Sequence, residues 1–345
     1  MRDLLLRSFI CGIGSRSVAS CLKISDGWMI FCGQKQSGPL SGSIDMGLHE
    51  GNKAVMHHMP GATVRLITRC PVGCDGELNE TTLLLPEGNL LSCSTCGQLV
   101  SQIDESAYRA ALTKFDSATG TLPAASAQGR HNQRAARLFE RIRAMLHVRT
   151  GERMRLLDIG CSTGALIMSA LREGINAEGV EPAERAARAA QAAGLRVFSG
   201  TLAAAAYPAG RFQAATLMEV IEHLRDPGDL LQEARRILAP GGILAVGTGN
   251  AASWTVALMG CRWDYFQVER FGGHISFFTP RSLARLAERC GFCVEGIESR
   301  CVRFVESYQA SKVVYRTLKV VGEMLNGPAR WLNRGHDMLA FLRKV

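Results

Sequence analysis

The 345-residue chain reads as an α/β protein: a doubly wound, mostly parallel seven-stranded sheet preceded by a small cysteine-bearing β module. Three observations predict this. From Arg155 onward, short apolar runs alternate with stretches of helical period. The first of these runs, Leu156-Leu157-Asp158-Ile159, closes on a glycine-bearing turn, Gly160-Cys-Ser-Thr-Gly164, before a helical pattern. Upstream, Cys70/Cys74 and Cys93/Cys96 form two close pairs with 18 residues between them.

The alternation assigns the elements in order. Asn132–Val148 carries Ala135, Leu138, Phe139, Ile142, Met145 and Leu146 on one helical stripe. Then come strand Arg155–Ile159, helix Ala165–Arg172, strand Ala177–Val180, helix Ala183–Ala193 and strand Leu195–Phe198. The fourth strand is Phe212–Met218. Asp226 is a favourable helix N-cap and Pro227 a favourable first helical residue. Pro240-Gly241-Gly242 stops that helix, and Ile243–Val246 is the fifth strand. Helix Arg281–Arg289 follows. Cys293–Glu298 and Met338–Arg343 complete the sheet, with a helical insertion over about 307–334.

Ahead of this domain (132–345), residues 1–60 show no sustained period and read as a disordered leader or as sequence upstream of the true start. Residues 61–102 are the cysteine module, with strands at Thr81–Leu85 and Asn89–Leu91 joined by a Pro86-Glu-Gly88 turn. Residues 103–131, rich in Ala, Ser, Thr and Gly, read as a linker. Four thiolates from Cys70, Cys74, Cys93 and Cys96 can complete a tetrahedron around zinc, as in a zinc ribbon; the other reading is four unliganded thiols on a hairpin. An all-cysteine set leaves no open coordination position, so the expected metal is structural.

Composition excludes some classes. No run approaches the roughly 20 apolar residues of a membrane span. The 12 cysteines are mostly scattered, which suits a reducing cytoplasm and not a disulfide scaffold. The net charge is +9, and residues 300–345 hold nine Lys/Arg against three Asp/Glu. That excess fits an anionic partner, a peripheral membrane contact or a solvated face. Val314, Leu318, Val321 and Leu325 fall at helical spacing there, so a homodimer contact or packing over a pocket stays open too.

The glycine turn carries the first chemistry. Gly160 and Gly164, with the small Ser162 between them, let backbone approach a ligand at the strand's C-terminal end. Glu181 ends the second strand 23 residues after Asp158, where an acid can hold the two hydroxyls of a ribose.

Leu157-Asp-Ile-Gly-Cys-Ser-Thr-Gly164 with Gly179-Val-Glu-Pro182 resembles the cofactor loop of the class I S-adenosylmethionine (SAM) methyltransferases. Glu219-x-x-Glu222-His223, and Gly272-Gly-His274 before Phe277 and Pro280, are similar to segments of the ubiquinone-pathway O-methyltransferases. The resemblance implies a Rossmann-like fold and a SAM site at Asp158, Gly160, Ser162, Gly164, Glu181, Thr201, Met218 and Glu219. Thr201 stands where family members often have an acid for the adenine. It implies catalytic or acceptor-binding roles for Glu222, His223 and His274, and allows a second divalent metal on Glu219, Glu222 and His223. The expected reaction is O-methylation of a small-molecule hydroxyl, on a saccharide or quinone-like ring, in cell-envelope or isoprenoid-quinone metabolism. The rivals are an RNA methyltransferase using the ribbon and basic tail, and a non-catalytic SAM-binding module. Met218-Glu219-Val220-Ile221 lacks the Asn/Asp-Pro-Pro-aromatic pattern of enzymes that methylate base amino groups, so nucleic acid is the weaker expectation.

Overall fold

The computed structural model describes residues 65–118, 125–149, 151–267, 273–305 and 310–345; the leader expected at 1–60 lies outside them. Eleven strands and eight α-helices are formed among these residues. The large sheet contains β4 (Arg155–Ile159), β5 (Asn176–Glu181), β6 (Val197–Ser199), β7 (Phe212–Met218), β8 (Leu238–Gly249), β10 (Phe292–Arg300) and β11 (Asp337–Lys344). Its order is β10-β11-β8-β7-β4-β5-β6. Five strands are mutually parallel, and β11 runs antiparallel to both of its neighbours, β8 and β10. β10 therefore points the same way as β8. The seven-stranded, mostly parallel sheet is the one the sequence predicts.

The middle strands are apolar on both faces because helices cover both. Leu157, Ile159, Ala215, Leu217, Leu244 and Val246 face one core, joined by Leu231, Ala234 and Ile237 of α5 (Pro227–Ile237). Leu156, Ala214, Ile243 and Ala245 face the other, joined by Leu138, Phe139 and Ile142 of α2 (Ala125–Leu146) and Ile167 of α3 (Ala165–Arg172). Burying each of the Leu, Ile, Val and Phe side chains among these contributes about 1.5–3 kcal/mol.

Two local expectations are corrected. The segment expected as a linker, 103–131, contains α1 (Glu105–Ala118) and the first turns of α2. Asp104 starts α1, its Oδ1 accepting from Ala107 N at 2.8 Å, so small polar residues there cap a helix as well as punctuate a loop. Asp226 does occupy the N-cap of α5, but its side chain makes no capping hydrogen bond; Pro227 alone marks the start.

The cysteine module is built into the domain. β1 (Leu78–Leu85), β2 (Gly88–Cys93) and β3 (Leu99–Val100) form an antiparallel sheet whose fourth strand is β9 (Ser276–Phe277), from the far side of the sequence. Arg281 and Arg285 of α7 (Pro280–Arg289) donate to the Thr95 carbonyl between the second pair of cysteines.

Gly164 shows what the cofactor-loop glycines do in this fold. Its φ is +81°, and a Cβ there would lie 2.2 Å from Leu195 Cδ1. Gly164→Ala is therefore expected to cost roughly 1–3 kcal/mol, read as a lower urea midpoint at unchanged slope. An unchanged midpoint would show that the turn relaxes freely. Gly160 is similar: φ is +73° and its Cβ would meet Val220 Cγ2 at 2.4 Å. A branched residue there strains the protein itself, in addition to any effect on a ligand.

Candidate active site and thiol cluster

The β4–α3 turn and the end of β5 meet at the carboxyl edge of the sheet, where open α/β sheets bind ligands. Glu181 is buried there; its Oε2 accepts from Ser162 N at 2.7 Å and its Oε1 from Ala183 N at 2.8 Å. Those bonds hold Ser162 in left-handed backbone at φ +48°. Asp158 is buried behind the turn and accepts from Thr216 Oγ1 at 2.7 Å. Burial, opposed by that hydrogen bond and reinforced by the charge of Glu181, pushes its carboxyl up to about 7. Thr201 follows β6; its hydroxyl accepts from Ala204 N at 3.2 Å, and the side chain is exposed. The structure thus gathers Asp158, Gly160, Ser162, Gly164 and Glu181 in one place, with Thr201 at the adjoining strand end. A cradle of positive-φ backbone beside a fixed acid fits the ribose of SAM.

β7 ends two strands' breadth from β5, at Met218. Glu219 follows with φ +55°, an uncommon backbone for a non-glycine residue, and turns the chain into the short helix of Ile221–His223. Glu219 Oε2 accepts from Tyr265 Oη at 2.5 Å. Burial, then the charges of Glu222 and Asp337, hold its carboxyl well above the usual range, and burial likewise raises Tyr265. Glu222 is 1% exposed. Its Oε2 accepts from Thr248 Oγ1 at 3.0 Å, and its Oε1 has no hydrogen-bond partner among the described residues.

His274 completes the group from the segment after β8. Its Nδ1 lies 3.0 Å from the Tyr265 carbonyl. A carbonyl only accepts, so Nδ1 carries the proton and Nε2 presents a lone pair. Burial, then the neighbouring His223, hold His274 well below the usual histidine pKa. The His223 and His274 rings meet edge to face at 4.6 Å between centroids, and Tyr265 stacks on His274 at 5.1 Å. One ligand atom each from Glu222, His223 and His274 lies within 4.8 Å of the others. This corrects the expected triad of Glu219, Glu222 and His223: Glu219 is turned toward Tyr265, and His274 takes its place. The orphaned Glu222 Oε1 and the clustering of one carboxylate with two imidazoles within 4.8 Å fit a divalent cation.

Two tyrosines belong to the site without any motif to announce them. Tyr265 lies in the aromatic run Trp263-Asp-Tyr-Phe266, and Tyr108 of α1 donates to the His223 carbonyl at 2.7 Å. Their positions depend on packing across more than 40 residues of sequence.

The four cysteine sulfurs of the β module also converge. Cys74 Sγ is 3.3 Å from Cys70 Sγ, 3.3 Å from Cys93 Sγ and 3.5 Å from Cys96 Sγ; Cys70 and Cys96 are 3.5 Å apart. Burial raises the Cys70 thiol and takes Cys96 up to about 11. At Cys93 burial acts the same way, but backbone hydrogen bonds from Cys96 and Thr95 outweigh it and bring the thiol down to about 7. Four sulfurs around one point, one already inclined to thiolate, fit a tetrahedral zinc. The module bears on His274 directly. Ser101 N, just after β3, donates to the Ile275 carbonyl at 3.0 Å, and Ile275 N donates to the Glu222 carbonyl at 2.9 Å. The backbone after His274 is thereby clamped between the cysteine sheet and the Glu222 loop.

A buried charge cluster lies against Trp263 and Tyr265. His336 Nε2 lies 3.4 Å from Asp264 Oδ1 and 3.6 Å from Asp337 Oδ1. Burial works to lower the His336 pKa, but the charges of Asp337 and Asp264 outweigh it and raise it above 6.5. Burial works to raise Asp264, yet His336 brings it down to about 2. The His336 contribution is full below its unfolded pKa of about 6.5 and is lost as pH rises through the raised folded value. That of Asp264 is present above its unfolded pKa of about 3.9 and is lost as pH falls toward about 2. The contribution of this pair should therefore be greatest between about pH 4 and 6.5 and decline above it. The alkaline decline should flatten in His336→Gln, as measured by urea unfolding across pH; an equal decline in both proteins would assign it elsewhere.

Among the described residues, no helix is long and apolar enough to cross a membrane. A crystal structure of a SAM-dependent methyltransferase from Archaeoglobus fulgidus aligns at 21% identity over 62% of this chain and 94% of its own, with a TM-score of 0.44. Ubiquinone biosynthesis O-methyltransferases of Cereibacter sphaeroides and Ralstonia nicotianae are 35% and 32% identical over 150 and 148 residues, 41% and 40% of this chain. The chain spans 60% and 62% of the length of those two relatives. The methyltransferase-domain family model matches residues 130–296, which takes in the β4–α3 turn, Glu181 and the Glu222–His223–His274 group. The chain therefore carries a class I SAM-dependent methyltransferase domain, distantly resembling the ubiquinone O-methyltransferases, with a four-cysteine cluster in a small β module ahead of it.

Proposed function

We propose that the chain transfers the methyl group of SAM to a hydroxyl of a small-molecule acceptor. The observation that carries this is the tautomer of His274: Nδ1 is committed to the Tyr265 carbonyl, so Nε2 is the unprotonated nitrogen, and His274 shares a 4.8 Å cluster with Glu222 and His223 at the carboxyl edge of β7 and β8. SAM supplies a methyl on a positively charged sulfur, so attack by oxygen forms the O–CH₃ bond as the S–CH₃ bond breaks.

The protein's own work is to position the acceptor and take its proton. Asp158, Gly160, Ser162, Gly164, Glu181, Thr201 and Met218 form the donor side. Glu222, His223 and His274 form the acceptor side, with His274 Nε2 receiving the hydroxyl proton. Glu219, its carboxyl raised by burial and bonded to Tyr265, spaces the two sides. As the alternative to proton transfer to His274, whose Nε2 cannot do both, a divalent cation on Glu222, His223 and His274 would lower the pKa of an acceptor hydroxyl. Zinc on Cys70, Cys74, Cys93 and Cys96 would be structural.

Saccharide and quinone-like hydroxyls are both compatible with this arrangement. The test is transfer from methyl-labelled SAM into separate saccharide, quinone-like and RNA pools, followed by identification of the methylated atom. An O-methyl product in a small-molecule pool supports the reading. N- or C-methylation, or transfer to RNA alone, would replace it.

A further inference from the structure

α8 (Lys312–Trp331) carries three separate stripes. Leu318, Gly322, Leu325 and Ala329, at helical spacing, face the domain; Leu318, Leu325 and Ala329 pack with Val302 and Phe304. Gly322 permits the close approach, since a Cβ there would lie 2.4 Å from the Val302 carbonyl oxygen. The helix therefore lies flat on the domain from Leu318 to Ala329. Its outward stripe is apolar. Val313, Val320, Met324 and Trp331 share one helical face, and Met324 and Trp331 are 76% and 84% exposed. Val314 and Val321 beside that face, and Leu332 at the C-cap, are exposed as well. Seven of the twelve large apolar side chains exposed among the described residues thus sit on this helix and its cap. Such a concentration differs from the scattered apolar residues of an ordinary surface and marks a contact face.

The third stripe runs along one flank, between the buried and the apolar faces. Lys312, Arg316, Lys319, Glu323 and Arg330 fall on it, and all five are exposed. Glu323, the single acid of α8, pairs with Lys319 at 3.9 Å. Residues 300–345 as a whole hold nine Lys/Arg against three Asp/Glu, so the surrounding sequence keeps the same sign. The far end of the helix reaches the ligand-binding edge of the large sheet. Asn250, which follows the last residue of β8, donates from Nδ2 to the carbonyl of Asn333, just past α8, at 3.0 Å. Trp331 therefore stands at the carboxyl edge that also carries the Glu222–His223–His274 group.

We infer that α8 docks the protein on the surface of an anionic lipid bilayer, with its apolar stripe among the outer acyl chains and its cationic flank at the headgroups. This goes beyond the O-methyltransferase reading and does not depend on it. A helix with an apolar face and Lys/Arg beside it suits the boundary between headgroups and acyl chains. The long basic side chains lay their stems along apolar surface and bring their charges to lipid phosphates. Trp331 adds an apolar ring with one polar N–H, which suits that boundary too. A second copy of the chain fits less well. A 20-residue helix is about 30 Å long and about 10 Å wide, so one face offers about 300 Å². Stable protein interfaces bury about 800 Å² per partner. A bilayer requires no complementary partner surface, only apolar burial and headgroup charge. Docking through this stripe brings the Trp331 end, and with it the carboxyl edge of the sheet, beside the membrane.

Cosedimentation of the full chain with vesicles tests this. The parent should bind mixed phosphatidylcholine–phosphatidylglycerol vesicles roughly tenfold or more tighter than phosphatidylcholine alone, and less tightly as salt rises. Val320→Gln/Met324→Gln/Trp331→Gln changes only exposed side chains to good helix formers, so it should melt like the parent. Its binding to the mixed vesicles should be roughly tenfold or more weaker. Lys312→Gln/Arg316→Gln should lower binding to the mixed vesicles and leave the weak binding to neutral ones unchanged. The fluorescence of Trp331 should move to shorter wavelength on the mixed vesicles. That shift should vanish in Trp331→Phe, which should still bind. SAM affinity in the absence of vesicles should be the same in every variant. No vesicle binding by the parent overturns the proposal. Equal binding by the parent and the triple variant places any membrane contact elsewhere and overturns it too. Equal binding of the parent to both kinds of vesicle refutes the anionic surface. A dimer in sedimentation velocity that the triple variant abolishes, without vesicle binding, would make α8 an interface between copies instead. None of these readouts involves methyl transfer, so the O-methyltransferase reading stands or falls separately.

Discussion

His274→Ala is expected to lower methyl transfer by about 100-fold or more while SAM affinity stays within a few-fold of the parent. The size is that of losing a positioned general base. The separation of effects follows from placement. His274 comes from the segment after β8 and touches His223 and Tyr265, whereas the donor loop lies at β4 and β5. His274→Gln keeps polar atoms near the Tyr265 carbonyl but has no basic nitrogen, so it should be nearly as slow as the alanine variant at comparable stability. Single-turnover transfer and calorimetry measure the two quantities. A near-parental rate would mean that the enzyme works by positioning alone. Loss of SAM binding in both variants would move His274 to the donor side.

Removing the metal from the cysteine cluster should slow the same step without any cysteine touching a substrate. The purified chain is expected to hold one zinc, and Cys93→Ser or Cys96→Ser to lose it. Structural zinc in small modules contributes folding free energy directly, so melting should fall by roughly 10 °C or more. Transfer should fall with it, because β3 pairs with β9 and Ser101 holds Ile275, the residue after His274. SAM affinity should be far less affected, since the β4–α3 turn and Glu181 are held by their own contacts. Elemental analysis, thermal melting and single-turnover transfer separate the outcomes. A zinc-free protein that melts and turns over like the parent would show four thiols on a hairpin and no metal site.

Much of the architecture was legible because it is periodic. Apolar strands of five to seven residues, each closed by glycine or proline signals, can only be buried on both faces, and that requires covering helices. The alternation from Arg155 to Val246 therefore implied a parallel sheet before any contact was known. The cysteine pairs were legible for a similar reason: two close pairs at that spacing have few uses other than one tetrahedral ion. The proposed donor side of the site was equally local. A turn with Gly160, Ser162 and Gly164, and an acid ending the next strand, become neighbours as soon as the two strands pair.

The proposed acceptor side was decided by tertiary structure. Glu219 and Glu222 sit three residues apart, and the resemblance to the ubiquinone-pathway O-methyltransferases allowed both to face one metal with His223. The left-handed backbone at Glu219 instead turns its carboxylate to Tyr265, while the short helix after it leaves Glu222 and His223 facing His274. A single positive φ is not encoded in a periodic pattern. It is tolerated because the surrounding packing leaves no other path. In the stretch expected as a linker, α1 is tied to the site by Tyr108's bond to the His223 carbonyl, a contact spanning 115 residues. The cysteine module, which reads as an independent unit, borrows its fourth strand from β9 and in doing so fixes the backbone beside His274. Sequence determined which strands and thiols exist, because hydrophobic period and ligand spacing act over a few residues. Only the folded chain decided which side chains share a site, because that depends on packing between segments far apart in sequence.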